Sequence, residues 1–252
     1  MQEEALKPIV ASLKKDPVVK AIFLKGSMGR GEHDQHSDID LYCFVNEENK
    51  QQFLKNRKKH LTAYRPLLMY DEIYIIAPQI VAVYDSLLHI DLFTVTEESL
   101  LTKDFFMVLY DPENHLEAFQ SRQTLGLSIQ EFDDAVMDAV WFLFQYKKSA
   151  ARGNDLWAVH MLEQAFTHFA KVLLHHYVPA RAQLGLKTME RSLPAVPLNK
   201  FNRMYEANTP NQHPQAAKYY CQFLSEEKEW ILANMQHPNN IAALFARLMI
   251  DS

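Results

Sequence analysis

Residues 23–41 read FLKGSMGRGEHDQHSDIDL, and the fold of the first half of the chain is decided around them. An apolar run at 18–25 (VVKAIFLK) ends in Gly26-Ser27. A short polar segment follows, and a second apolar run at 39–45 (IDLYCFV) is entered through Ser37-Asp38-Ile39-Asp40. β-Branched and aromatic residues make both runs strands. Three of the 6 glycines of the chain, Gly26, Gly29 and Gly31, lie in the link, where glycine allows a tight turn and a close approach of backbone to ligand. Side chains alternate along a strand, so Asp38 and Asp40 share one face, with Ile39 and Leu41 opposite. Two neighbouring carboxylates repel each other. A divalent cation removes that cost, and Mg²⁺ is usually held by one or two carboxylates together with substrate phosphates. Gly26-Ser27 offers backbone N–H groups and a hydroxyl to such a phosphate, and a helix starting within 28–32 adds its N-terminal dipole. The segment is not a Walker A loop, which needs Lys-Ser/Thr after its last glycine.

A third acid stands in His89-Ile90-Asp91-Leu92-Phe93. An aspartate inside an apolar strand costs on the order of several kcal/mol unless it is paired or liganded. With this strand beside 39–45, Asp91 faces Asp38 and Asp40. The three acids then suit two metal ions about 4 Å apart, which stabilise the attacking and leaving oxygens of an in-line displacement.

The motif GSMGRGEHDQHSDIDL (26–41) resembles the signature of the DNA-polymerase-β-type nucleotidyltransferase superfamily. There, a Gly-Ser, an S-D-x-D about a dozen residues on and a single later acid on a neighbouring strand form the active site. Gly26, Ser27, Asp38, Asp40 and Asp91 match residue by residue, and Arg30-Gly31 fits the common form. The resemblance covers residues 18–95, and VLYDPENH (108–115) is similar to the strand and turn after the third acid in antibiotic-modifying members. It implies transfer of a nucleoside monophosphate, AMP from ATP, to a hydroxyl of a small molecule such as an aminoglycoside-like compound, with release of pyrophosphate. It also implies a two-metal Mg²⁺ site on Asp38, Asp40 and Asp91, with the nucleotide on Gly26, Ser27, Arg30 and Ser37. Asp91 or Glu163 is the candidate to take the acceptor's proton, and Lys147, Lys148 and Arg152 are candidates to meet the triphosphate. The alternatives within the resemblance are a protein acceptor, or a nucleotide-binding sensor or antitoxin-like binding module. The complete set of acids favours turnover, and the Arg-His signature of a fused HEPN-type toxin is absent.

Around this centre, residues 2–15 carry a helical stripe of Leu6, Ile9, Val10 and Leu13, and 47–60 reads as a polar, exposed helix. The basic run Lys55 to Lys59 reads as a solvated face. Apolar runs at 72–76, 80–84, 88–95 and 106–110 predict further strands. From about 128 the period becomes helical. One stripe is Phe132, Val136, Val140, Leu143 and Phe144, and the next is Leu156, Val159, Leu162, Phe166, Phe169 and Leu173. Ser128 with Glu131 fits a capping box, Gly153 fits a C-terminal cap, and Asn154 or Asp155 opens the next helix. The expected architecture is α/β (α+β): a mixed-sheet nucleotidyltransferase domain over 1–125, then an all-α bundle over 126–252 that binds the acceptor.

Other side chains have simpler readings. His33 and His36 read as solvated loop residues, and His160, His168 and His175 as a partly polar stripe without metal-ligand spacing. Trp141, Phe142, Phe144 and Tyr146 read as core.

Of 252 residues 48% are hydrophobic and 23% charged, which excludes a disordered or fibrous protein. The formal charge of −5 argues against nucleic acid as a partner through a broad basic surface and suits a cationic acceptor. Two cysteines, Cys43 and Cys221, make neither a disulfide framework nor a zinc site. No apolar stretch reaches the ~18 residues of a membrane span, and MQEEALKPIV is not a signal run. These features predict a cytoplasmic protein with a nucleoside triphosphate and a hydroxyl-bearing small molecule as partners. No segment speaks to oligomeric state.

Overall fold

The computed structural model describes residues 1–250, which divide into two compact units, Met1–Thr124 and a second starting at Leu125. The first unit runs α1 (Gln2–Leu13), β1 (Val19–Leu24), α2 (Gly26–Gly29), β2 (Ile39–Val45), α3 (Glu47–Asn56), α4 (Lys58–Leu61), β3 (Leu67–Tyr74), β4 (Pro78–Tyr84), β5 (His89–Val95), β6 (Met107–Tyr110) and α5 (Glu117–Gln120). Its strands form a six-stranded sheet ordered β3-β4-β5-β2-β1-β6. Only β2 and β5 pair in parallel; the other neighbours are antiparallel, so the sheet is mixed as expected.

Each central strand buries both faces, which is why its apolar run is nearly continuous. One face packs Ile22, Leu24, Leu41, Cys43, Ile90 and Leu92 against Ile9 and Leu13 of α1, Phe53 of α3 and Leu61 of α4. The opposite face is aromatic: Phe23 stacks on Tyr42 at 5.0 Å and Tyr42 on Phe93 at 4.3 Å, with Phe44, Leu116 and Phe119 beyond. Asp40 and Asp91 belong to this second face by alternation, at the end of the aromatic row.

The stretch 47–60 departs from the expected exposed helix. It is two helices with a buried side: Phe53 is fully buried, and Arg57 and His60 are 3% and 1% exposed. Arg57 is therefore no solvated residue of a basic face. Its guanidinium donates to Thr94 Oγ1 (3.1 Å), Glu72 Oε2 (3.2 Å) and the Gln79 carbonyl (3.4 Å). His60 lies between Ser12 Oγ (2.9 Å) and Asp16 Oδ2 (3.1 Å), fastening α4 to the end of α1. The run expected at 72–76 is the end of β3, which starts earlier and leaves Ile75 and Ile76 outside it.

The second unit contains α6 (Ile129–Ala151), α7 (Asp155–Tyr177), a 3₁₀ segment (Pro179–Thr188), α8 (Met189–Ser192), α9 (Ala195–Glu206), α10 (His213–Asn234), a 3₁₀ turn (Pro238–Asn240) and α11 (Ala242–Ile250). It is all-α, as predicted. Ser128 and Glu131 form the reciprocal capping box, and Gly153 ends α6 at φ +67°. Phe132, Val136, Val140 and Leu143 share one core with Leu162, Phe166, Phe169 and Leu173 of α7 and with Tyr220 and Phe223 of α10. Leu156 does not join it: at 76% exposed it stands roughly 160° around the helix from buried Ala158. Trp141, expected in the core, is 47% exposed on the outer side of α6, while Tyr146 is buried. Among the described residues no helix is long and apolar enough to cross a membrane.

Candidate active site

The parallel pairing of β2 and β5 sets the site. Asp40 lies opposite Asp91, with Ile39 opposite Ile90 and Tyr42 opposite Phe93. Continuing this register one residue back places Asp38 beside His89, so two strands each present a pair of polar side chains on one face. The three aspartates are thus brought to one end of two neighbouring strands. Asp91 is 9% exposed, and its Oδ1 is 3.0 Å from His89 Nε2. Asp38 Oδ2 is 3.7 Å from His89 Nδ1. Asp38, His89 and Asp91 each offer a ligand atom within 4.8 Å of the others, a donor set that can hold a metal ion. Below the acids lies Tyr42. Burial and the charges of Asp40, Asp104 and Asp91 push its hydroxyl well above the usual tyrosine range, so it stays neutral.

Gly26 holds the other side. The helical turn begins at Gly26 rather than within 28–32, because a φ of +61° at Gly26 turns the chain as soon as β1 ends. The amides of Gly26, Ser27 and Met28 open this turn, where a helix has no internal acceptors for its N–H groups. A side chain on Gly26 would place its Cβ 1.9 Å from Asp40 Oδ2, so the glycine is what lets the turn pack against that acid.

The residues around this pair have definite partners. Arg30 is bound by two carboxylates, donating from Nη1 to Asp104 and from Nε to Glu32 (3.0 Å). Ser37 Oγ closes a turn, accepting from the Asp34 amide (3.0 Å) and donating to Asp34 Oδ1 (3.2 Å). A cavity of about 430 Å³ adjoins the cluster, lined in part by Ser37, Asp38, Ser86, Leu87 and His89. The Ser86 hydroxyl is buried there with no partner.

Glu163 belongs to the helical unit, half-exposed on α7 with its carboxylate 3.9 Å from His160. Lys147 donates to the Leu248 carbonyl (2.9 Å), and Lys148 lies 5.3 Å from the Phe144 ring. His168 stacks on Phe142 and His175 on Phe132, in keeping with a polar stripe along packed helices.

Two members of the N-terminal site escaped the sequence reading. His89 is separated from Asp91 by one residue, the same spacing as Asp38 and Asp40, and that repeated alternation was its signal. Lys25, in the sequence, is simply the last residue of the 18–25 run. It is 7% exposed, and its ammonium donates to the carbonyls of Leu101 (2.6 Å) and Lys103 (2.9 Å). With the Arg30–Asp104 pair it fastens the segment after β5 beside Gly26. Burial pushes Lys25 down to about 8, against an opposing pull from Asp104. Between about pH 8 and its ordinary value of 10.5 the unfolded chain then holds a proton that the folded chain lacks, so stability from this group rises with pH across that window. Urea unfolding at pH 8 and pH 10 is expected to show a stability gain for the wild type, relative to Lys25→Met, of about 1 kcal/mol per pH unit at most. Equal slopes in the two proteins would mean that burial does not shift this lysine.

Residues 4–88 match the family model described as the nucleotidyltransferase domain. The N-terminal unit carries a nucleotidyltransferase domain. The match ends one residue before β5, so His89 and Asp91 join the domain through the sheet register. It bears out the expected enzyme class, nucleotidyl transfer from a nucleoside triphosphate, at the level of the class. No curated protein matches the chain. Among solved structures, an aminoglycoside 6-adenyltransferase from Bacillus subtilis is similar at 11% identity and a TM-score of 0.39, covering 98% of this chain and 98% of that one. A nucleotidyltransferase-like protein from Exiguobacterium sibiricum 255-15 is similar at 11% identity and a TM-score of 0.41, covering 90% of this chain and 76% of that one. Likenesses this distant bear on neither substrate nor mechanism of the nucleotidyltransferase domain described here.

Proposed function

We propose that the protein transfers a nucleoside monophosphate, AMP from ATP, to a hydroxyl of a small cationic acceptor of the aminoglycoside kind. The observation that carries this reading is the β2–β5 register, which sets Asp40 opposite Asp91 with Gly26 packed against Asp40. Three carboxylates at one end of two strands suit the hard oxygen coordination of Mg²⁺, and the reading assigns two such ions to Asp38, Asp40 and Asp91. When bound, the ions neutralise charge on the triphosphate and on the attacking and leaving oxygens.

The chain's own residues do the positioning. The amides at Gly26 and Ser27, with the Ser27 hydroxyl, hold phosphate oxygens. Arg30 and Lys25 keep the neighbouring segment in place. The cavity beside Asp38 and His89 receives the acceptor. The acceptor oxygen attacks the α-phosphorus, its proton passes to Asp91, and the bond to pyrophosphate breaks. The acidic balance of the chain favours a cationic acceptor.

The test is incubation with Mg²⁺, each labelled nucleoside triphosphate and a panel of hydroxyl acceptors that includes aminoglycosides and lincosamides. Pyrophosphate release with a mass-shifted product is expected, lost in the Asp38→Ala/Asp40→Ala double variant. Release with a labelled protein and no modified small molecule would move the acceptor to a protein. Metal-dependent nucleotide binding without release for any donor would favour a sensor or partner-binding module instead.

A further inference from the structure

We infer that the outer edge of β3 pairs with the same edge of a second copy of this chain, joining two six-stranded sheets into one. β3 stands first in the sheet order, so only its β4 side is hydrogen-bonded, and every second residue turns its N–H and C=O away from the sheet. The edge lacks the usual protections. Leu67–Tyr74 is 8 residues long and holds neither proline nor lysine, and its one irregularity lies at the start, between Leu67 and Met69. β6, at the opposite edge, has 4 residues. Apolar side chains stand uncovered along β3 and into the turn after it. Leu68, Tyr74 and Ile75 are 66%, 71% and 70% exposed, and Met69, Tyr70 and Ile76 are 48%, 45% and 45%. Together these residues present roughly 650 Å² on one copy, above the largest apolar patch of a typical monomer. Covering them on two copies buries about 1,300 Å², within the range of stable specific interfaces.

A second copy is the occupant because the edge is complementary to itself. Alternation puts Tyr70, Glu72 and Tyr74 on the face of α3 and α4. There Glu72 accepts from Arg57 (3.2 Å), and the Lys58 ammonium lies 3.4 Å from the centre of the Tyr70 ring. Met69, Asp71 and Ile73 lie on the other face. A two-fold axis normal to the sheet sets each residue opposite one on its own face, so the pairing centres on a single residue. Centred on Glu72, it places Tyr70 of each copy opposite Tyr74 of the other, Met69 opposite Ile75 and Leu68 opposite Ile76. Every exposed apolar residue then meets another. The two central Glu72 carboxylates each keep the Arg57 guanidinium of their own copy. Centring on Asp71 would set two carboxylates opposite each other without a cation, since Asp71 has no hydrogen bond or ion pair among the described residues. Centring on Tyr70 would set Glu72 against Leu68 and Asp71 against Met69.

The test is the mass of the full, untagged chain in solution, by sedimentation at about 50 µM, above the micromolar dissociation constants of the weakest interfaces of this size. A dimer, twice the 29.3 kDa of one chain, is expected. The double variant Tyr74→Lys/Ile75→Lys brings like charges into the pairing edge and is expected to weaken association by at least ~10²-fold, leaving monomer. Both side chains are exposed in the single chain, so the circular dichroism of the variant stays that of the wild type. Leu156→Lys, at an equally exposed leucine of α7, is the control and remains dimeric. Amide exchange reads the edge itself: the peptide over 67–76 exchanges slowly in the wild type at this concentration and rapidly in the double variant. A monomeric wild type, a double variant that stays dimeric, or a Leu156→Lys variant that dissociates as readily would overturn the inference. So would a wild-type dimer in which 67–76 exchanges as fast as in the double variant.

Discussion

Replacing Asp91 with asparagine is expected to reduce nucleotidyl transfer by at least ~10²-fold while leaving the fold intact. The substitution keeps shape and polarity and removes one negative charge from a position directly opposite Asp40. Without metal, that carboxylate lies among other carboxylates, and asparagine can keep a hydrogen bond to His89, so the loss of charge costs little stability. The thermal midpoint of Asp91→Asn in metal-free buffer is therefore expected within about 2 °C of the wild type, or above it. Divalent ions should separate the two proteins. An ion at a hundredfold excess over its dissociation constant stabilises the folded wild type by about 2.7 kcal/mol, and the variant should lose most of that gain. Scanning calorimetry with and without metal, beside a pyrophosphate-release assay, measures both effects. A marked fall in the metal-free midpoint would make Asp91 a structural residue, and retained transfer would remove it from the catalytic set.

Gly26→Ala is the second large effect. The residue has φ +61°, where an alanine costs about 1–2 kcal/mol. Its Cβ would also fall 1.9 Å from Asp40 Oδ2, closer than any contact atoms adopt. Asp40 is a short side chain on a central strand, so relief comes only by turning its carboxylate away or by moving the turn that carries Ser27. Either change spoils the alignment of phosphate and acid, and transfer is expected to fall ~10²-fold or more. Gly31→Ala is the matched control. It has a similar φ of +70°, but a Cβ there meets nothing within 4 Å. Urea unfolding should show a loss of about 1–2 kcal/mol in Gly31→Ala and a larger one in Gly26→Ala, with transfer largely kept in Gly31→Ala. If both lose transfer equally, backbone strain in the link, rather than contact with Asp40, is what matters.

These predictions separate what could be read from the chain and what could not. The Gly-Ser turn, the strand that carries Asp40 with Asp38 just before it, the start of α6 and the break between α6 and α7 were legible because each depends on short-range rules: alternation along a strand, an amphipathic period, and caps such as Ser128–Glu131 and Gly153. The 47–60 stretch was misread for the complementary reason. Its composition is polar, and only the partners offered by β3, β4 and β5 make a buried place for Arg57. Leu156 and Trp141 show the same limit from the apolar side, since a hydrophobic residue on a helix is buried only where something covers its face.

The sequence by itself determined that a glycine turn precedes a strand with two carboxylates on one face, that a third acid waits in a later apolar strand, and that a helical half follows. Only the tertiary structure decided that β5 lies parallel to β2 with Asp40 opposite Asp91. It likewise decided that His89 lies beside Asp38, and that Lys25 and Arg30 fasten the segment behind them. The physical reason is register. Which strands become neighbours, and at what offset, depends on burying both faces of the sheet at once, and no local spacing carries that information.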